Sequence, residues 1–162
     1  MPIQIRKVVR RDARALAELL LDVGWFDALK NQPPEAVTQQ VESRIAQCLA
    51  DGSHSIHVAQ AAAEQITGYS SVHWLPYLFM NGPEGYVSEL FVRSTARGQG
   101  VGKQLLQAVE VEARARGCAR LSLINLRSRD SYLRQFYIKA GWEERSEAAN
   151  FVYPLTSVSG KP

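Results

Sequence analysis

The first third of the chain changes from an alternating to a helical spacing of its apolar positions. Residues 3–9 alternate apolar and polar side chains, which predicts an opening strand. A helix is predicted between Asp12, a residue typical of an N-cap, and the terminating Gly24. A second helix is predicted from Pro33-Pro34 to Asp51-Gly52. The apolar stripes of the two helices are Ala13, Leu16, Ala17, Leu20 and Val23, and Val37, Val41, Ile45 and Cys48.

The middle of the chain predicts a hairpin, a further strand and a long helix. Strand-like segments at 54–62 and 66–74 are separated by a short turn at 63–65, so we expect an antiparallel hairpin. The segment Tyr86–Val92 is again strand-like. After a cluster of glycines, apolar residues four apart predict a helix that Gly117 closes.

The last quarter of the chain also alternates between strand-like and helical spacing. Its predicted segments are a strand at 121–126, a helix at 133–141, and short strands at 142–145 and 151–155. Residues 156–162 are expected to form a loose polar tail. The element order predicts a single domain over 1–162 of the α/β class (α+β type). Its core is a mixed, mostly antiparallel central sheet of about six to seven strands with four helices and one parallel crossover.

Composition narrows the class of protein. The 162 residues are 46% hydrophobic and 22% charged, which supports one folded core and excludes the composition of a disordered chain. No apolar stretch approaches the ~20 residues of a membrane span, and the first ten residues do not resemble a secretory signal. Cys48 and Cys118 stand alone, without the spacing of metal ligands. We therefore expect a cytoplasmic protein with no membrane partner and no metal.

The glycine cluster Arg97–Gly102 carries the clearest chemistry. It lies between a strand and a helix, where open backbone N–H groups and the helix dipole favour a phosphate or pyrophosphate. A P-loop does not fit, because Arg97 stands at its first glycine and Gln104 at its Ser or Thr. A dinucleotide fingerprint fits poorly, because Lys103 replaces its third glycine. A tight turn without a ligand is the remaining alternative.

Two motifs resemble those of a known family. Arg97-Gly98-Gln99-Gly100-Val101-Gly102 directly follows Leu90-Phe91-Val92, and Phe136-Tyr137 precedes Gly141-Trp142 on a late helix. In both motifs, and in its element order, the sequence resembles the GNAT superfamily of N-acetyltransferases. The resemblance implies acetyl-CoA as co-substrate. It assigns cofactor binding to Phe91, Val92, Arg97, Gly98, Gln99, Gly100, Val101, Gly102 and Lys103.

One position departs from the family pattern. Asp130 stands where many members have Asn, seven residues before Tyr137. A carboxylate is less suited than an amide to an anionic cofactor, so we expect Asp130 to cap the late helix instead.

The resemblance implies direct acetyl transfer to a primary amine in a ternary complex, without an acyl-enzyme. Tyr137 is the expected general acid, since a phenol of pKa about 10 can protonate a thiolate of about 8.5; a core aromatic is its alternative role. Glu89 is expected to accept the amine proton through a water, with His73 as a second candidate and solvation as the alternative for Glu89. The pantetheine arm is expected along the strand that ends at Val92, whose backbone N–H groups polarise the thioester carbonyl.

Two loops carry candidate acceptor-binding residues. Trp25, Phe26 and Asp27 lie between the first two helices, and Trp74 and Tyr77 lie at the far end of the hairpin. Aromatic rings with a carboxylate suit an amine that has an apolar or aromatic body, and anchoring of the loops is the alternative. We expect the acceptor to be a small molecule or a peptide. The resemblance leaves a homodimer open, and a non-catalytic acyl-CoA-binding regulatory module on the same fold is the alternative function.

The formal charge of +3 conceals an asymmetry along the chain. Residues 91–145 carry a net charge of +6, and the remainder carries −3. The basic part contains the glycine cluster, which suits an anionic cofactor, and the acidic part contains the acceptor loops, which favours a cationic amine. Basic and aromatic residues are not interleaved as in nucleic-acid-binding proteins, so no nucleic-acid partner is expected.

Overall fold

Five strands form one sheet, in chain order, in the computed structural model, which describes residues 3–61 and 65–155. Neighbouring strands pair antiparallel along the sheet except for the last pair, which is parallel. The predicted hairpin and the single parallel crossover are therefore confirmed. The strands are β1 (Gln4–Lys7), β2 (His54–Gln60), β3 (Ile66–Leu75), β4 (Glu84–Val92) and β5 (Arg120–Leu123).

The described residues also form six α-helical segments. The three long helices, α1 (Ala13–Val23), α3 (Pro34–Ala50) and α4 (Val101–Ala115), end near the glycine or the Asp51-Gly52 turn that was expected to stop them. Gly24 takes the left-handed conformation (φ 69°) that terminates α1. The segments are α1 (Ala13–Val23), α2 (Asp27–Lys30), α3 (Pro34–Ala50), α4 (Val101–Ala115), α5 (Asp130–Leu133) and α6 (Phe136–Lys139). No helix in the described part of the chain is both long and apolar enough to cross a membrane.

Alternation along the strands gives the sheet two apolar faces. Val58 faces a core made with α1 and α3, and its neighbour Ala59 faces the helix α4 on the other side. The first core contains Val8, Leu16, Leu19, Ile45, Ile56, Ile66 and Tyr69. The second contains Ala96, Val101 and Leu105, with Leu90 and Val92 packed against it.

The chain divides into two units, Met1–Ile124 and Asn125–Pro162. The sheet and the helices α1–α4 belong to the first unit. The second contains α5 and α6, which are one turn each and are separated by Gln135 in a left-handed conformation (φ 57°).

The predicted numbers of strands and helices were wrong. The described residues contain five strands, because the segments 142–145 and 151–155 do not pair into a sheet. A short strand-like segment is only a local signal, and a strand also needs a ladder partner. The four predicted helices become six, since the loop after α1 contains the one-turn α2 and Gln135 interrupts the late helix. Most of the predicted turn at 63–65 and the whole predicted tail at 156–162 lie outside the described residues.

Candidate active site

The glycine cluster forms an exposed loop that opens α4. After β4 ends at Val92, a 3-10 turn at Ser94–Ala96 leads into Gly98 (φ 76°) and Gly100 (φ 77°). Both angles lie in the left-handed region, which costs other residues roughly 1–2 kcal/mol. A Cβ on Gly98 would meet no atom within 4 Å, so backbone conformation, and not space, requires glycine there.

The first turn of α4 offers backbone donors. Gly100 is the N-cap residue, and its carbonyl accepts the first helical hydrogen bond from the Gln104 amide at 3.0 Å. The N–H groups at the start of a helix have no partner inside the helix, and the dipole adds partial positive charge there. The long side chains of the loop fold back, since Arg97 donates to the Val92 carbonyl at 3.4 Å and Gln99 to the Thr95 carbonyl at 3.0 Å. These residues fit a bound phosphate or pyrophosphate.

The strand β4 runs past the end of its parallel neighbour. Pairing with β5 begins at Glu84 with Arg120 and ends at Val87 with Leu123, whereas β4 continues to Val92. A register shift at Ser88 separates the two parts, because Ser71 of β3 pairs with Glu89 and Val72 pairs with Val87. Residues 88–92 therefore extend beyond the parallel ladder, where an extended ligand can pair with the strand backbone.

Gly68 holds the end of β4 against α4, a feature that the sequence interpretation missed. Gly68 pairs with Val92, and a Cβ on it would lie 2.9 Å from the Phe91 carbonyl oxygen and 3.2 Å from a methyl carbon of Val101. Only glycine permits this approach of the strand to the start of the helix. A glycine inside a strand pattern is the signal that marks such a site.

Glu89 lies on the same sheet face as the core of α1 and α3. The register places Tyr69 opposite Phe91 and two positions from the pair Ser71–Glu89, so Tyr69 and Glu89 are diagonal neighbours on one face. Burial raises the pKa of the Glu89 carboxyl, and a hydrogen bond from Tyr69 opposes that rise. Burial and the charge of Glu89 raise the pKa of the Cys48 thiol on α3, which keeps it protonated and unreactive at neutral pH.

Two of the candidate acceptor-binding residues pack against Phe91, on the same sheet face as Tyr69 and Glu89. The ring centroids of Trp25 and Phe26 lie 5.6 Å and 5.5 Å from that of Phe91, in edge-to-face geometry. Tyr69 contacts the same Phe91 ring at 5.8 Å. The loop after α1 thus lies against Phe91 near the end of β4, two residues from Glu89 along the strand. Asp27 does not join the cluster, since its exposed carboxylate pairs with Lys30 at 2.8 Å.

The other acceptor candidates lie elsewhere. Trp74 is only 7% exposed, and its indole N–H donates to the Ser55 hydroxyl at 3.0 Å while Arg116, the residue that follows α4, covers its ring. It therefore belongs to the sheet face that packs on α4. Tyr77 contacts Phe79 in the exposed loop between β3 and β4.

His73, the second candidate base, also has identified partners. Its Nε2 is 2.9 Å from the Ser88 hydroxyl, at the register shift in β4. Burial, followed by the charge of His54, lowers the pKa of His73.

Tyr137 belongs to the second unit. Its ring contacts Phe136 at 5.0 Å and Trp142 at 6.1 Å, and the Trp142 amide donates to the Tyr137 carbonyl at 3.0 Å. Burial raises the pKa of the Tyr137 phenol to about 12, against the charge of Arg134. The hydroxyl therefore stays protonated at neutral pH and is able to donate a proton.

The expectation that Asp130 caps the late helix was wrong. Arg129 is the N-cap residue of α5, and Asp130 occupies the first helical position. Its carboxylate instead pairs with Arg134 one turn later, at 3.0 Å. Within residues 3–61 and 65–155, no group of three or more His, Cys, Asp or Glu side chains is placed to hold a metal ion.

Comparisons with known proteins agree with these features. The model of the acetyltransferase (GNAT) family matches residues 23–142. An aminoglycoside N(6')-acetyltransferase type 1 of Stenotrophomonas maltophilia is 32% identical over 155 residues, which cover 93% of each chain.

Solved structures share the fold. A transcriptional regulator from Bacillus halodurans C-125 has a TM-score of 0.79 at 24% identity, over 94% of this chain and 100% of its own. Glucosamine-6-phosphate N-acetyltransferase from Arabidopsis thaliana has a TM-score of 0.73 at 22% identity, over 95% and 100% of the two chains. At these identities the likeness concerns the fold alone.

Proposed function

Because the chain belongs to the GNAT family of acetyltransferases, we propose that it transfers the acetyl group of acetyl-CoA directly to a primary amine of a small molecule, with aminoglycosides as the leading acceptor class. The proposal rests on one observation. The strand β4 extends beyond its parallel neighbour β5, and a loop with two glycines in the left-handed conformation leads from its end into the start of α4. The aminoglycoside relative and the net negative charge outside residues 91–145 support a cationic acceptor.

The residues of the glycine loop would hold the cofactor. The backbone N–H groups from Gly98 to Lys103 would bind the pyrophosphate, and the positive end of the α4 dipole would add to the attraction. The backbone of β4 from Ser88 to Val92 would pair with the pantetheine arm. Acetyl-CoA, when bound, supplies an acyl group on a thiol leaving group.

Two side chains are proposed to move protons. Glu89 accepts a proton from the acceptor ammonium, and its raised pKa brings the carboxyl closer to neutrality, where a general base is most effective. Tyr137 donates a proton to the departing thiolate; the family motif supports this role, and the phenol is fully protonated at neutral pH, although its raised pKa makes it a weaker acid than a free tyrosine.

The acceptor is proposed to bind against the aromatic rings of Trp25 and Phe26. These rings lie beside Phe91, two residues from Glu89 on the same strand. Aromatic faces can stack on the apolar faces of a sugar ring and attract a nearby ammonium group.

A thiol-release assay tests the function. Purified protein with acetyl-CoA is offered aminoglycosides, polyamines, amino acids, arylamines and peptide N-termini, and free CoA is measured against a reaction without amine. We expect release with at least one aminoglycoside, together with a singly acetylated product in the mass spectrum. Tight CoA binding without release on any amine would instead favour a regulatory module that binds acyl-CoA.

A further inference from the structure

The hydroxyl of Tyr69 is a buried donor beside the proposed base. The residue is 4% exposed and packs in the core between the sheet and the helices α1 and α3. A buried tyrosine hydroxyl needs a hydrogen-bond partner, and here that partner is the carboxylate of Glu89. The two side chains are diagonal neighbours on β3 and β4, so the sheet register holds them in place.

The Tyr69 phenol donates a hydrogen bond to Glu89 and stays protonated. Burial raises the pKa of Tyr69 far above its usual value, and the charge of Glu89 raises it further. The phenol is therefore a permanent donor, which suits an ionised carboxylate, since that form only accepts. The hydrogen bond leaves the remaining lone pairs of Glu89 available for a substrate proton.

The titratable groups around Glu89 come from two elements. Tyr69 acts on Glu89 from β3, and the charge of Glu89 acts on the thiol of Cys48 on α3. Arg44, one turn before Cys48, acts on that thiol in the opposite direction from Glu89. Of these groups, Tyr69 is the one that hydrogen-bonds to the Glu89 carboxylate.

We propose that Tyr69 is a positioning residue that fixes the orientation of the Glu89 carboxylate and keeps it able to accept the proton of the acceptor amine. The inference rests on the proposed role of Glu89 as the base. In the step itself, an N–H bond of the substrate ammonium breaks and an O–H bond forms on Glu89, directly or through a water. Tyr69 gains and loses no proton.

The pH profile of Tyr69→Phe tests the proposal. The variant keeps the ring that packs on Phe91 and removes only the donor to the carboxylate. Without that donor the ionised form of Glu89 is less favoured, so the acid limb of kcat/KM for a fixed acceptor moves to higher pH. We expect a shift of about half to one unit, with activity reduced about three- to ten-fold on the acid side and restored at high pH.

A matched variant and a double-mutant cycle separate this role from a structural one. Tyr86→Phe removes a hydroxyl from the adjacent strand β4 and is expected to leave the acid limb in place. Glu89→Gln is expected to remove the limb, and adding Tyr69→Phe to it should have little further effect. Thermal midpoints and acetyl-CoA dissociation constants confirm that the variants are folded.

The outcomes distinguish the inference from the proposed function. If Glu89→Gln keeps the wild-type rate and limb, Glu89 is not the base and both claims fail. If Glu89→Gln is slow but Tyr69→Phe leaves the limb unmoved, only the role of Tyr69 is overturned. Equal losses from Tyr69→Phe with and without Glu89 would likewise show that Tyr69 acts independently.

Discussion

Tyr137 is partly buried between Phe136 and Trp142, and this environment sets how it can act as an acid. Its pKa of about 12 lies well above that of a thiol, so the phenol is protonated over the whole neutral range. The pH profile of kcat should therefore show no loss of activity from ionisation of Tyr137 below about pH 10.

Substitution of this tyrosine tests the acid role. Tyr137→Phe keeps the ring and removes only the proton donor, so acetyl-CoA should bind as before while kcat falls about 100-fold, the lower end of general-acid contributions. The matched control is Tyr132→Phe, whose hydroxyl donates to Glu144 at 2.9 Å in the same unit. Undiminished kcat in Tyr137→Phe would remove this residue from the mechanism.

Single residues also show where sequence interpretation reaches its limit. Trp25 and Trp74 both follow apolar segments near a loop, yet Trp25 is 45% exposed and Trp74 is buried against α4. The difference arises from partners distant in the chain, Phe91 for one and Ser55 with Arg116 for the other. No local pattern contains those partners, so both residues looked equally suited to bind an acceptor.

At the scale of elements, the conformation of the glycine loop should control cofactor affinity. Gly98→Ala or Gly100→Ala would force a left-handed alanine at a cost of roughly 1–2 kcal/mol, or move the loop amides out of position. We expect the KM for acetyl-CoA to rise about five- to thirty-fold, corresponding to that energy, with little change in the acceptor KM.

Gly52→Ala provides a matched control for the strain. Gly52 also has a positive φ, of 70°, and no atom within 4 Å of an added Cβ, but it lies in the turn before β2. It should lose a similar amount of stability by urea unfolding and keep the wild-type KM. If all three variants bind acetyl-CoA equally well, the loop does not hold the cofactor.

A guanidinium connects the end of β4 to α1. Arg93 is largely buried and donates to the Ile66 carbonyl at 2.9 Å, to the Ala15 carbonyl at 3.3 Å and to the carboxylate of Asp22. Asp22 lies three residues before Trp25 in the sequence. The contact thus fixes the start of the loop that carries Trp25 and Phe26, against which the acceptor is proposed to bind.

Weakening this contact should alter acceptor binding. Asp22→Asn removes the charge of the partly exposed pair, which is worth about 0.5–1 kcal/mol, so the acceptor KM should rise about two- to five-fold. Glu18→Gln is the control, because it removes an exposed ion pair with Arg14 on the same helix. The acceptor KM of both variants is measured by steady-state kinetics at saturating acetyl-CoA. Equal acceptor KM values for the two variants would contradict the role of Arg93.

Elements with two agreeing local signals were predictable, and those with one were not. The helices α1 and α4 combine an apolar stripe with a glycine that ends them, and both formed as expected. The late segments at 142–145 and 151–155 were predicted as strands from short stretches of sequence alone. Glu144 of the first is engaged by Arg127 and Tyr132, and Phe151, Val152, Tyr153 and Leu155 of the second are 79–92% exposed.

At the scale of the whole molecule, a buried histidine should make folding depend on pH. His57 is 5% exposed on β2, with its Nε2 3.1 Å from the carboxylate of Glu112 on α4. Burial, followed by the charge of Lys7, lowers the pKa of His57 to about 4, although Glu112 opposes the shift. The sequence identified no role for His57, since its partners lie on other elements.

The sign of the effect follows from where the proton binds first. The unfolded chain takes up a proton on His57 near pH 6.5, whereas the folded protein does so only near pH 4. Stability is therefore complete above pH 6.5 and falls as the pH is lowered from there to 4. At 1.36 kcal/mol per unit of pKa, the loss at pH 4.5 is about 2 to 3 kcal/mol.

Urea unfolding of the wild type and of His57→Gln between pH 4.5 and 7.5 measures this contribution. Glutamine keeps a donor for Glu112 but does not titrate, so the variant should be less stable at pH 7.5 and lose less stability on acidification. The carboxylates titrate in both proteins, so the difference between the two curves isolates the histidine. Parallel curves would mean that His57 is protonated at the same pH in the folded and unfolded chains, and that its burial against α4 does not couple folding to pH.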